Sequence, residues 1–163
     1  MNKAILSVFA LTLTMTIAAC GGGGGGGGGG TSGTQLPTSA VVRIGTEGTP
    51  SNSPINGVQA NLHLPAGVSV KATQNAPQTD AGVVLSTGAD LVMGIYSMAT
   101  GTVSIYVAKT SGIAVGEFAT INCDIDMHGF TGLTDLSVTG LEARDTNGNL
   151  ISGLTTTFSV TVN

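Results

Sequence analysis

Apolar and polar residues alternate along the chain in short runs. In "GVQANLHL" (57–64), Val58, Ala60, Leu62 and Leu64 fall on one side and Gln59, Asn61 and His63 on the other. This two-residue period is that of a half-buried strand. "GEFATINCDID" (116–126) repeats it, placing Ala119, Ile121, Cys123 and Ile125 on an inner face. Further strands are predicted over 40–45, 68–72, 83–86, 91–98, 102–109, 134–145 and 150–163. Gly, Pro, Asn and Thr punctuate them. "PAG" (65–67) reads as a turn, "TQNAPQTDAG" (73–82) as an exposed loop, and "ATG" (99–101) as a hairpin connection. Asn147-Gly148 is a second hairpin signal, because both residue types tolerate positive φ. No window shows a sustained helical period with caps. About nine antiparallel strands at this spacing predict an all-β sandwich or jelly roll over 40–163.

Composition agrees with that expectation. The 163 residues include no tryptophan and only 4% aromatics, so Val, Ile, Leu, Ala and Met must fill the core. Residues 1–19 read differently, as an export signal: Lys3 is followed by an apolar run from Ala4 to Ala19 that ends in small residues. The run is short for a membrane-spanning helix, which needs about 20 apolar residues. The tetrapeptide Ile17-Ala18-Ala19-Cys20 resembles the bacterial lipobox. That resemblance implies acylation of Cys20 and cleavage before it, so the membrane partner is reached through a lipid anchor. Two or three acyl chains anchor stably where one is marginal. Gly21 stands where an aspartate would favour inner-membrane retention, so the resemblance implies the outer membrane.

Residues 20–39 then read as a tether. Gly21 to Gly30 are ten consecutive glycines, a flexible coil with a root-mean-square span of roughly 17 Å. They are not a phosphate-binding loop, which needs a preceding strand, a following helix and a lysine. Cleavage leaves four basic against nine acidic residues, a net charge of −5. With no Lys/Arg cluster, nucleic acid is not an expected partner. With Cys20 acylated, Cys123 has no disulfide partner and belongs in the core.

The segments "INGVQANLHLPAGVSV", "GEFATINCDI" and "LEARDTNGNLISGLTTTFSVTV" together resemble the cohesin domain, a nine-stranded jelly roll related in shape to carbohydrate-binding modules. The resemblance covers roughly residues 40–163. It implies a non-catalytic module that recruits a protein partner, dockerin-like or another envelope protein. Two other roles are compatible with the pattern, a polysaccharide-binding module and a structural envelope lipoprotein.

Few residues offer chemistry. If the strand over 116–126 continued, Asp124, Asp126 and His128 would share a face at about 7 Å spacing, a possible divalent-metal set. The competing reading is a polar outer face opposite Ile121, Cys123 and Ile125. Asp145, Asn147 and Asn149 in "DTNGN" resemble the start of a calcium loop but lack its sixth-position glycine and distal glutamate. No serine stands in a G-x-S-x-G elbow, and the only imidazoles are His63 and His128, so no enzyme is expected. His63 is expected in solvent on the polar side of its strand. For sugar contacts the candidates are Phe130, expected to be exposed, and Tyr96 and Tyr106, expected at core edges.

Overall fold

The computed structural model describes residues 36–51, 54–72 and 78–163. Cys20, the glycine run and the signal segment lie outside the described residues, as do 73–77 of the long loop. The described residues form one compact unit, and the whole described core lies within it.

Among the described residues, ten strands follow one another: β1 Ser39–Gly48, β2 Ile55–His63, β3 Val68–Ser69, β4 Val84–Leu85 and β5 Leu91–Ser97. They continue with β6 Thr102–Ile113, β7 Glu117–Ile125, β8 Ser137–Arg144, β9 Leu150–Ile151 and β10 Leu154–Val162. All pairings are antiparallel, in two sheets. The first runs β10-β1-β7, and β3 and β4 both pair with the far side of β7. The second runs β5-β6-β2-β8-β9. The described fold is therefore an all-β sandwich, as the alternation predicts.

Register explains the core. Across the first sheet, Ala40 faces Cys123, Val42 faces Ile121 and Ile44 faces Ala119. Across the second, Val58, Ala60 and Leu62 face Val107, Ile105 and Val103. These twelve side chains are all buried. Ile44, Leu62, Ile105 and Ile121 are the largest at the centre. Each such aliphatic side chain contributes roughly 1.5–3 kcal/mol by leaving water. β-branched residues dominate because they fit a pleated, one-sided surface without losing rotamer freedom they would have kept.

Several elements differ from their sequence expectation. The run 150–163 is two strands, since Ser152-Gly153 carries the chain from the second sheet into the first. Gly153 takes φ +84°, and a Cβ there would lie 2.2 Å from the Thr49 carbonyl oxygen, so only glycine fits this crossing. The strands expected over 68–72 and 83–86 shrink to two residues each, because both pair with β7 and must share its edge. The loop between them is not wholly free: Gln78 bridges to Ile95 and Thr79 N–H donates to the Gly94 carbonyl at 2.9 Å. At the β8–β9 turn only Gly148 takes positive φ, and Asn147 does not. That hairpin has just two rungs, Ala143 with Ile151 and Arg144 with Leu150.

Candidate functional site

The residues expected to bind metal are not brought together. β7 ends at Ile125, so Asp126 and His128 belong to a turn and do not continue the outer face that carries Asp124. Asp126 Oδ1 accepts from the His128 backbone N–H at 3.0 Å, and His128 Nδ1 lies 3.3 Å from the same oxygen. Those contacts cap the turn, and they hold the Asp126 carboxyl below the usual carboxylate range. Asp126 N–H still continues the β3 register, donating to the Gly67 carbonyl at 2.7 Å, and the strand stops because the next residues turn, with Gly129 N–H donating to the Asp126 carbonyl at 3.1 Å.

Asp145 is likewise engaged by its own loop. Its Oδ1 accepts from the N–H groups of Asn147 and Asn149 at 2.8 and 2.9 Å, and its Oδ2 from Asn149 Nδ2 at 3.0 Å. Donors thus point where a cation would sit, and Asn149 Nδ2 first, then the backbone donors, lower the Asp145 carboxyl. Among the described residues, no three His, Cys, Asp or Glu side chains are grouped to hold a metal ion.

Of the aromatic candidates, Phe130 is not exposed: it packs against the core beside Gly67. A Cβ at Gly67 would lie 2.3 Å from the Phe130 backbone nitrogen, so the two turns touch main chain to main chain. Tyr96 pairs with buried Val103 on the inner side of β5 and packs at the core edge, where burial pushes its phenol up. Cys123 is buried, as expected, and burial followed by the neighbouring Asp124 charge pushes its thiol up to about 12.

Tyr106 is different, because register puts it on the outer face of the second sheet. That face is built in rows across β5, β6, β2 and β8. One row is Met93, Tyr106, Gln59 and Glu142; the next is Ile95, Ser104, Asn61 and Thr139. The last is Ser97, Thr102, His63 and Ser137. Met93, Ile95 and Tyr106 are half-buried, and Leu91 at the end of β5 is 52% exposed. Apolar surface thus collects on the β5 side and polar groups on the β2–β8 side.

The polar groups are held in place. His63 does not simply face solvent: its Nε2 is hydrogen-bonded to Thr139 Oγ1 at 2.9 Å and its Nδ1 to Thr102 Oγ1 at 3.2 Å. Ser104 Oγ–H donates to Asn61 Oδ1 at 2.7 Å. A β8 bulge brings Gly140 over Asn61, where a Cβ would lie 2.8 Å from Asn61 Nδ2. Arg144 reaches the Glu142 carboxylate at 2.8 Å and the Gly148 carbonyl at 2.8 Å. Such cross-links lower the side-chain entropy that a bound partner would otherwise have to remove.

Sequence reading found Gln59, Asn61 and His63 as a polar stripe but missed Met93, Ile95, Ser104 and Thr139. The alternation in 91–98 and 102–109 carries those faces, but only the cross-strand register joins them into one surface. The outer face of the first sheet contrasts with this one. It carries Thr157, Ser159 and Thr161 beside Gly45, Arg43 and Val41, with Arg43 3.8 Å from Glu117. A cleft of about 640 Å³ opens past the end of β4 and includes Leu85, Val115 and Phe118 in its walls. Among the described residues, its ionisable side chains are Lys109 and Glu117, and no imidazole or thiol lines it.

No protein-family model matches the chain, and searches of curated proteins and of solved structures also return no match.

Proposed function

We propose that this protein is a lipid-anchored, non-catalytic binding module of the bacterial cell envelope. In this reading the signal segment 1–19 is removed, Cys20 carries the acyl chains, and the glycine run holds the sandwich away from the headgroups. The outer face of the second sheet recruits a protein partner. The observation that carries the binding role is the pairing of half-buried Met93, Ile95 and Tyr106 with the fixed His63–Thr139 and Ser104–Asn61 hydrogen bonds. Interface centres combine aromatic and Met side chains with satisfied polar groups and few charges, which is this composition. The resemblance to cohesin domains makes a dockerin-like module one candidate partner, though no comparison supports the family itself.

A second reading, polysaccharide binding, has one specific observation behind it. Tyr106 presents a ring on an open face beside the Gln59 amide, the aromatic-plus-amide pairing that sugar contacts use.

The anchor is tested by feeding cells an alkyne-tagged fatty acid and reading label on the protein. Label on the wild type and none on Cys20→Ser supports it, and equal labelling of the two overturns it. Calcium added to or chelated from a capture experiment separates a calcium-folded partner from the polysaccharide reading.

A further inference from the structure

Open strand edges invite pairing, and most edges of this sandwich are blunted. β5 is covered in part by Gln78 and Thr79. β3, β4 and β9 have two residues each. β8 is bent by its bulge at Gly140 and carries Glu142. β10 has none of these devices. It is nine residues long, LTTTFSVTV, with no charge, no proline and an unbroken nine-pair register to β1. Among the described residues, no strand pairs with its other side.

Which groups that side presents follows from the ladder. Asn163 N–H donates to the Ser39 carbonyl at 2.9 Å and Ser39 N–H to the Asn163 carbonyl at 3.3 Å, a mutually hydrogen-bonded pair. Alternation then makes Val41–Thr161, Arg43–Ser159, Gly45–Thr157 and Glu47–Thr155 the bonded pairs. The even-numbered residues of β1 turn to β7 instead, as the Thr46 N–H to Gly116 carbonyl bond at 2.8 Å shows. The N–H and C=O groups of Leu154, Thr156, Phe158, Val160 and Val162 therefore point off the open edge.

We propose that a second copy of this chain adds to this edge, β10 against β10, about a two-fold axis at Phe158. In that antiparallel register Phe158 faces Phe158 of the second copy, Thr156 faces Val160 and Leu154 faces Val162. Each facing pair is of the bonded kind and exchanges two backbone hydrogen bonds. Their side chains lie on the inner side of the sheet, since Phe158 shares a row with buried Ile44 and Val160 with buried Val42. The two cores thus join edge to edge. On the outer side Thr155 meets Thr161 and Thr157 meets Ser159, hydroxyl pairs that favour strand pairing. A symmetric interface must be complementary to itself, and an uncharged strand with Leu154, Phe158, Val160 and Val162 around one threonine on its inner face and only hydroxyl residues on its outer face meets that condition in this register.

The test uses the full chain in density-matched detergent micelles, by sedimentation equilibrium, with amide exchange followed on β10. Wild type is expected to be dimeric, with the Thr156, Phe158 and Val160 amides protected and becoming exchangeable on dilution. Thr156→Pro removes an N–H that the monomer does not use, so the monomer fold stays and the dimer is lost. If Thr156→Pro also loses strand signal, Thr157→Lys with Ser159→Lys sets like charges opposite each other and is expected to give the same monomer. A monomeric wild type with freely exchanging edge amides overturns the proposal, as does a dimer that survives these variants. Edge protection appearing only when an unrelated extended peptide is added also overturns it, in favour of a heterologous strand.

Discussion

His63 and Thr139 join β2 to β8 through a 2.9 Å hydrogen bond between Nε2 and Oγ1, while the other ring nitrogen reaches Thr102 on β6. One imidazole therefore spans three strands of the proposed binding face. Neutral hydrogen bonds of this kind contribute about 0.5–1.5 kcal/mol each. His63→Ala and Thr139→Val are each expected to lower stability by about 1 kcal/mol. A double-mutant cycle in urea unfolding is expected to return a coupling of the same order. Partner binding is expected to fall more than stability does, because the loosened side chains must be ordered again on contact.

Gly148 and Gly153 have nearly the same backbone, φ +81° and +84°, but different surroundings. A Cβ at Gly148 meets nothing within 4 Å, whereas at Gly153 it lies 2.2 Å from a carbonyl oxygen. Gly148→Ala is expected to cost about 1 kcal/mol, the strain of a left-handed alanine alone. Gly153→Ala is expected to cost at least about 3 kcal/mol, since β9 and β10 must part from the Thr49 backbone. Chemical denaturation of the two variants side by side separates strain from overlap.

Cys123 titrates far above an ordinary thiol. It is expected to resist alkylation at pH 8 in the native protein and to react once the chain is unfolded. Its folded value, about 12, exceeds the unfolded value, about 9. The protonated thiol therefore supports folding fully below pH 9, and that support is lost between pH 9 and about 12. The slope is about 1.4 kcal/mol per pH unit. Stability curves of wild type and Cys123→Ala are expected to converge over that range.

Asp90, Asp126 and Asp145 behave in the opposite direction. Asp90 Oδ2 accepts from the Thr110 backbone N–H and hydroxyl at 2.6 and 2.7 Å, which lowers its carboxyl as the turn contacts lower the other two. A lowered folded value means stability is present above the unfolded value, near 3.8, and is lost as pH falls through the folded one. The thermal midpoint is expected to drop below about pH 4. Asp90→Asn with Asp145→Asn is expected to flatten that drop.

Much of the sandwich was legible because one face of each long strand is buried. In β2 and β7 the period of two alone names Val58, Ala60, Leu62, Ala119, Ile121 and Cys123 as core. What depended on distant partners was not legible. The alternation through Asp124, Asp126 and His128 does not mark where β7 stops; the turn closed by Gly129 N–H on the Asp126 carbonyl and His128 N–H on its carboxylate does. The valine- and threonine-rich run 150–163 shows no break, yet Gly153 divides it because the chain changes sheets there. The proposed face is the clearest case. Met93 and Gln59 are 34 positions apart in sequence, and both flank Tyr106 through the registers of β5 and β2 with β6.

The most direct measurement of the binding role compares three immobilised forms of the protein against envelope extract. They are the wild type, a variant altered on the proposed face (Met93→Lys with Tyr106→Ala) and one altered on the opposite face (Val41→Lys). Retention of one component by the wild type and by Val41→Lys, but not by the Met93/Tyr106 variant, is the expected result. Equal retention by all three, or loss only with Val41→Lys, would contradict the assignment of binding to the outer face of the second sheet.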